Sequence, residues 1–261
     1  MRCQTIMWQD AKMLNVIANA LFGVFALALL AGGLWWVAQK PMFALKVIHV
    51  HGMEKNELRH VNALTVRSAA LPRIKGNFFT ADLDSVRTAF EMVPWVRRAA
   101  VRREWPNRLI VSIEEHQPLG TWRDDGRLVS AKGDVFTANM AEAEEDGELL
   151  KFSGPDGSEK KMVARYEELR AGFAKLNLTP EALQLTDRYA WSVKLNNGTT
   201  VEFGREQNST SAEMMGRLVN IYPQLAARLS NRIESIDMRY PNGLALKASG
   251  MVFAANSKQR N

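Results

Sequence analysis

The sequence is poor in cysteine and histidine, and it has one long stretch with no charge. The single cysteine, Cys3, excludes any intrachain disulfide and any disulfide-stapled scaffold. Four histidines without a C-x-x-C pair leave little material for a metal centre; His49 and His51 share a strand face, but two ligands are too few. No G-x-S-x-G elbow, H-E-x-x-H, P-loop or G-x-G-x-x-G after a strand is present, so the common enzyme signatures are missing and no catalytic residue is assigned. No internal repeat is found, which argues against a solenoid or a multi-copy module. No Asp, Glu, Lys or Arg occurs in the 27 residues between Lys12 and Lys40.

That gap contains Val16 to Ala38, 23 residues that are apolar or glycine except for Asn19. At about 1.5 Å per residue a helix of this length crosses a hydrocarbon core of roughly 30 Å. Trp8 on one side and Trp35 and Trp36 on the other suit the two headgroup layers. A cleaved signal has a shorter apolar core ending in small residues, and bulky Trp36 sits where a small one would precede a cut after Ala38. The expected element is a retained helix over 13–39 behind a cytoplasmic tail of 1–12. Charge does not orient it, since Arg2 and Lys12 face Lys40 and Lys46 across the span. The short tail before it and over 200 residues after it favour export of the C-terminal part.

The chain as a whole has ordinary globular composition, 46% apolar and 24% charged in 261 residues. The net charge of +6 is uneven: residues 44–116 carry +4 and 117–250 carry −2. From 44 to 116 the pattern reads β-α-α-β-β. A strand lies within FALKVIHVHG (43–52), a helix starts at Asn56 with Leu58, Val61 and Leu64 spaced helically, and a second starts at Asp82 with Leu83, Val86, Phe90 and Val93 inward, ending at Pro94. Trp95 to Val101 and Leu109 to Ile113 then form a hairpin around Trp105-Pro106-Asn107.

Beyond Pro118 short strands and turns dominate. Asp125-Gly126, Lys132-Gly133 and Asn197-Gly198 mark tight hairpins, the last between Trp191-Val193-Leu195 and Val201-Phe203. The acidic run 142–148 reads as a solvated loop and lacks the ligand spacing of a calcium loop. Met162, Tyr166, Leu169, Phe173 and Leu176 mark one helix. A second, opened by a Thr210/Glu213 capping box and expected to kink at Pro223, turns Met214, Leu218 and Leu225 inward. Ile236, Met238 and Tyr240 alternate into Pro241-Asn242-Gly243, and Leu244, Leu246 and Ala248 return; residues 251–261 read as a flexible tail. The fold class is α+β, with a mostly antiparallel C-terminal β-domain and flanking helices. Three Asn-x-Thr triplets, beginning at Asn177, Asn197 and Asn208, are short enough to arise by chance.

Arg97, Arg98, Arg102, Arg103 and Arg108 against Glu104 make the hairpin strongly basic. An exported domain meets no nucleic acid, which leaves anionic headgroups, an acidic protein or a solvated strand face as readings.

Taken together, the anchor, I-x-V-x-G at 48–52, Pro94-Trp95-Val96, Trp105-Pro106, Glu114-Glu115-His116-Gln117-Pro118 with Trp122, Tyr222-Pro223 and Arg239-Tyr240 resemble the bacterial FtsQ/DivIB family of cell-division proteins. The resemblance runs from the anchor to about Ala248. It implies a POTRA domain at 44–116, a β-domain at 117–250, both periplasmic, and a single-pass inner-membrane protein enriched at midcell. It also implies a non-enzymatic divisome scaffold, without cofactor or metal, that recruits FtsB and FtsL by strand addition and links early to late septation proteins. Arg239, Tyr240, Asn242, Gly243 and Leu244 match the partner-binding region, and Arg188 a second basic contact. Ala248 departs from members that carry an aromatic residue nearby. Two readings of Tyr240 stand at this point, a partner anchor and a core tyrosine of the hairpin. A secretion or envelope-assembly component built on a POTRA-like module is the alternative function.

Overall fold

The computed structural model describes residues 11–45, 47–53, 57–205, 211–229, 233–240 and 243–249. Two compact units divide between Glu115 and His116. In the first, helix α1 (Ala11–Ala38) carries the apolar run, and from Met13 onward none of it is buried within the protein. The expected tail before it, with Cys3 and Trp8, lies outside the described residues.

After α1 the chain makes a short 3-10 turn at Pro41–Phe43 and enters strand β1 (Val47–Gly52), so Phe43 belongs to a turn and not to the strand. The inward face of β1 is Ile48 and Val50; Val47, His49 and His51 are exposed. Helices α2 (Ala63–Ala69) and α3 (Leu83–Glu91) precede the hairpin of β2 (Val96–Glu104) and β3 (Arg108–Glu115). The sheet order is β1-β3-β2, with β1 parallel to β3 and β2 antiparallel to it. Leu109, Val111 and Ile113 of β3 are at most 1% exposed, and Val86, Ala89 and Phe90 of α3, which lies against β2, are buried as well. The turn falls at Trp105-Pro106-Asn107 as expected, with a cis Trp105–Pro106 bond.

Asn56, the expected start of the first helix, lies outside the described residues; among those described, the helix begins at Ala63, capped by Asn62, whose Oδ1 accepts from Thr65 N at 2.9 Å. The reason lies across the sheet. Glu115 accepts hydrogen bonds from the successive N–H groups of Arg59, His60 and Val61 at 2.9, 3.1 and 2.6 Å, which satisfies them outside a helix. Leu64, expected inward, is 78% exposed. Trp95 is buried but sits at φ 72° before β2, stacked on His60 at 3.9 Å between ring centres.

The second unit is one nine-stranded sheet, order β12-β11-β10-β9-β8-β7-β4-β5-β6. The strands are β4 (Pro118–Trp122), β5 (Arg127–Ser130), β6 (Val135–Phe136), β7 (Leu150–Ser153), β8 (Pro180–Leu185), β9 (Trp191–Leu195), β10 (Thr200–Gly204), β11 (Ile233–Asp237) and β12 (Ala245–Ala248). Antiparallel pairs predominate, but β4/β7, β7/β8 and β10/β11 are parallel. Parallel neighbours need crossovers, and α5 (Glu159–Ala174) and α6 (Ser211–Leu229) supply them for β7/β8 and β10/β11. Both helices pack on one face: Met162, Tyr166, Phe173, Met214, Leu218 and Tyr222 form one core with Phe152, Leu183, Val193, Val201 and Ile236. Alternate positions such as Lys151, Gln184 and Lys194 are exposed. Gly120 lets β4 approach β7, because a Cβ there would lie 2.1 Å from the Leu150 carbonyl oxygen.

The acidic run departs from its reading as a loop. Met140–Glu145 is a helix, α4, capped by Asn139, with Ala143 fully buried and Glu142 favourably placed in the first turn. Strands β7 and β8 had not been anticipated. Helix α6 continues through Pro223, and Thr210 of the expected capping box lies outside the described residues.

Candidate functional site

The terminal ribbon is made by β11 and β12, antiparallel with Asp237 opposite Ala245 and Ile236 opposite Leu246. β12 is the last strand of the sheet, and among the described residues no further strand pairs with its outer side. Its inner side is fastened by charge. Lys247 pairs with Glu234 at 2.8 Å, and Ser249 donates to the same carboxylate. These two hydrogen bonds hold the Glu234 carboxyl below its ordinary range, and the same contact raises Lys247.

Strand pairing ends at Asp237, three residues earlier than the alternation of Ile236, Met238 and Tyr240 suggests. Met238 still turns inward, 1% exposed, and its N–H donates to the Glu202 carbonyl at 2.8 Å. Arg239 then folds back on Asp237, with Nε 2.8 and 2.9 Å from the two carboxylate oxygens. The guanidinium hydrogen bond lowers the Asp237 pKa, against a smaller opposing effect of burial, and Arg239 is raised in return. Glu202 lies 3.9 Å from the same guanidinium. Gly204 clears the space for the Arg239 stem: at φ +69°, a Cβ there would meet Arg239 Cγ at 2.6 Å.

Tyr240 is 55% exposed, which excludes the core reading. Its backbone carbonyl accepts from Arg217 Nη1 of α6 at 3.0 Å, fixing the backbone while the ring faces outward. Gly243 is exposed, Leu244 packs at the margin of the core, and Asn242 lies outside the described residues. Arg188 is exposed in the β8–β9 turn. That turn precedes Trp191, which pairs with Gly204, so Arg188 and Arg239 occupy the same end of the sheet.

Glu202, Gly204, Arg217 and Asp237 complete the surroundings of the matched residues, and sequence reasoning missed all four. Only Asp237, two residues from Arg239, had a local signal. Among the described residues no group of three or more His, Cys, Asp or Glu is placed to hold a metal ion. The arrangement offers backbone hydrogen bonding along β12 beside one exposed aromatic ring and one oriented cation.

Residues 43–116 match the family model described as POTRA domain, FtsQ-type, and residues 120–239 match Cell division protein FtsQ/DivIB, C-terminal. The chain is 49% identical over 252 residues to the cell division protein FtsQ of Burkholderia pseudomallei, covering 96% of this chain and 98% of that one. It is 42% identical over 253 residues to FtsQ of Bordetella pertussis, covering 92% of each. It is 35% identical over 244 residues to FtsQ of Nitrosospira multiformis, covering 93% of this chain and all of that one.

Proposed function

Since the chain belongs to the FtsQ/DivIB family, we propose that it is a non-enzymatic scaffold of bacterial cell division, held in the inner membrane by α1. Its N-terminus is cytoplasmic, both folded units are periplasmic, and it gathers at midcell. There it recruits FtsB, and with it FtsL, by adding an FtsB segment as a tenth strand against β12, and so links early to late septation proteins. The observation that carries this reading is the place of β12 at the end of the sheet with Tyr240 exposed beside it.

Magnitudes indicate how such a contact would work. In a four-residue strand alternate residues face outward, so the edge offers about two N–H and two C=O groups. At about 0.5–1.5 kcal/mol net for each hydrogen bond, the backbone alone supplies only millimolar-range binding. The remainder comes from burial of the Tyr240 ring and from confining both proteins to one membrane, which raises their effective concentration. Arg239 and Arg188 orient an acidic partner segment. Arg239 already pairs with Asp237, so its own contribution is small while the site is wet and grows on desolvation.

The test measures binding of an FtsB segment to the full chain in nanodiscs. Tyr240→Ala is expected to keep the circular dichroism of the parent and lose at least about tenfold in affinity, roughly 1.4 kcal/mol. A folded Tyr240→Ala protein that binds as the parent does excludes this site.

A further inference from the structure

The ribbon at the end of the long sheet leaves the basic hairpin of the first unit without a role. The end of that unit's sheet from which the chain departs toward α1 is a distinct surface, tied together by backbone contacts. Asn77 Nδ2 donates to the Ala38 carbonyl at the last residue of α1, at 2.9 Å. Phe78 N donates to Phe43 O at 2.9 Å, and the Phe79 ring meets Phe43 edge-on at 4.9 Å. From the other side Arg103 grips the same loop, Nε to Phe78 O at 2.8 Å and Nη2 to Ala81 O at 2.6 Å. Two residues past Arg103 the β2–β3 turn begins, and Arg108 at its far side pairs with Val47, the first residue of β1.

The hairpin tip, the Asn77–Ala81 loop and the exit from α1 therefore share one end of the unit. The loop meets α1 within about one helical turn of Trp35 and Trp36, that is within about 5 Å along the axis. Three large apolar side chains stand out into solvent there: Met42 at 67%, Phe79 at 51% and Trp105 at 74% exposure. Lys75, Arg102 and Arg108 are exposed among them, while the nearby acids, Glu104 and Asp82, are fewer. Arg108 lies 3.9 Å from Glu104, and Asp82 accepts from Ser85.

Aromatic rings with cations around them, held beside the end of a membrane-length helix, match the boundary between acyl chains and headgroups. We infer that this end of the unit docks on the bilayer that holds α1, with Trp105 and Phe79 seated at the headgroup level and Lys75, Arg102 and Arg108 on anionic lipid phosphates. The inference rests on α1 spanning the membrane. The cations act within a Debye length of about 8 Å, so the contact weakens as salt is raised.

The test uses the full chain with Cys3→Ser, reconstituted in phosphatidylcholine vesicles with or without phosphatidylglycerol. It carries one nitroxide label at a time on Ala26→Cys, His51→Cys, Phe79→Cys or Asn107→Cys. Collision with oxygen reports bilayer, and collision with a soluble nickel chelate reports water. Labels at 79 and 107 are expected to shift from nickel to oxygen when anionic lipid is present, and to return toward water in high salt or with Arg102→Glu. The label at 51, at the opposite end of β1, stays in water. Should the labels at 79 and 107 remain as wet as that at 51 while the one at 26 is deep, the docking is overturned and the patch awaits a protein. A label at 26 that reads as water overturns the spanning helix, and this inference with it.

Discussion

The two ends of the nine-stranded sheet are managed in opposite ways. At one end β6 has two residues, both half-buried, and the Phe136 ring lies stacked on His116 at 4.1 Å between ring centres. So short and covered an edge offers little to a foreign strand. At the other end β12 has four residues, alternately exposed, and its charged contacts fasten it to β11 instead of capping its outer side. One sheet thus blunts one edge and keeps the other presentable. The physical difference lies in strand length and ring cover, since both edges belong to a continuous ladder.

This contrast can be broken at its centre. Phe152 in β7 is 1% exposed and stands between the β4-β5-β6 part of the sheet and the rest. Phe152→Ala is expected to cost about 3–5 kcal/mol and to lower one shared unfolding transition, followed by denaturant titration with probes at both ends. Separate transitions would show that the two edges belong to independent units.

The contrast sharpens at the edges themselves. Phe136→Ala removes a half-buried ring from the β6 end and should cost about 1–2 kcal/mol of stability, leaving binding of an FtsB segment unchanged. Tyr240→Ala should do the reverse. Weaker partner binding in Phe136→Ala would mean that the two edges are not functionally distinct.

The smallest effect is with pH. Hydrogen bonds from Arg239 and Lys247 hold the Asp237 and Glu234 carboxyls below their ordinary values. For a carboxyl lowered on folding, the stabilisation is complete above the unfolded pKa of about 4 and is lost as pH falls through the folded value. Asp125, lowered by Arg127 in the β4–β5 turn, titrates in the same direction. The thermal midpoint should therefore fall between about pH 5 and pH 3, and fall less in Asp237→Asn. An equal fall in both proteins would remove the Asp237–Arg239 pair from the acid response.

Much of the local structure was legible because it is encoded locally. Alternation on either side of Trp105-Pro106-Asn107 and of Asn197-Gly198 marked both hairpins, and the spacing of Met162, Tyr166, Leu169 and Phe173 marked α5. Expectations failed where a distant residue intervened. Glu115 draws the N–H groups of residues 59–61 out of the helix that Leu58 and Val61 suggest. The acidic run became a helix because Ala143 could be buried and Asn139 could cap it, two facts that its charge obscures. At the ribbon, Arg239 and Tyr240 were readable as residues, whereas Glu202 and Gly204, more than thirty positions earlier, had no sequence signal for their place beside them.

By itself the sequence determined the membrane-length helix, the division of charge, the hairpins and the inward faces of most strands and helices, because each depends on residues a few positions apart. Tertiary structure alone decided that β12 is the outermost strand among the described residues, that Tyr240 faces outward, and that Arg188 and Arg239 share one end of the sheet. Side-chain alternation specifies which face of a strand is buried but not which strand lies beside it, and that choice is made by pairing and crossover packing between segments far apart in the chain.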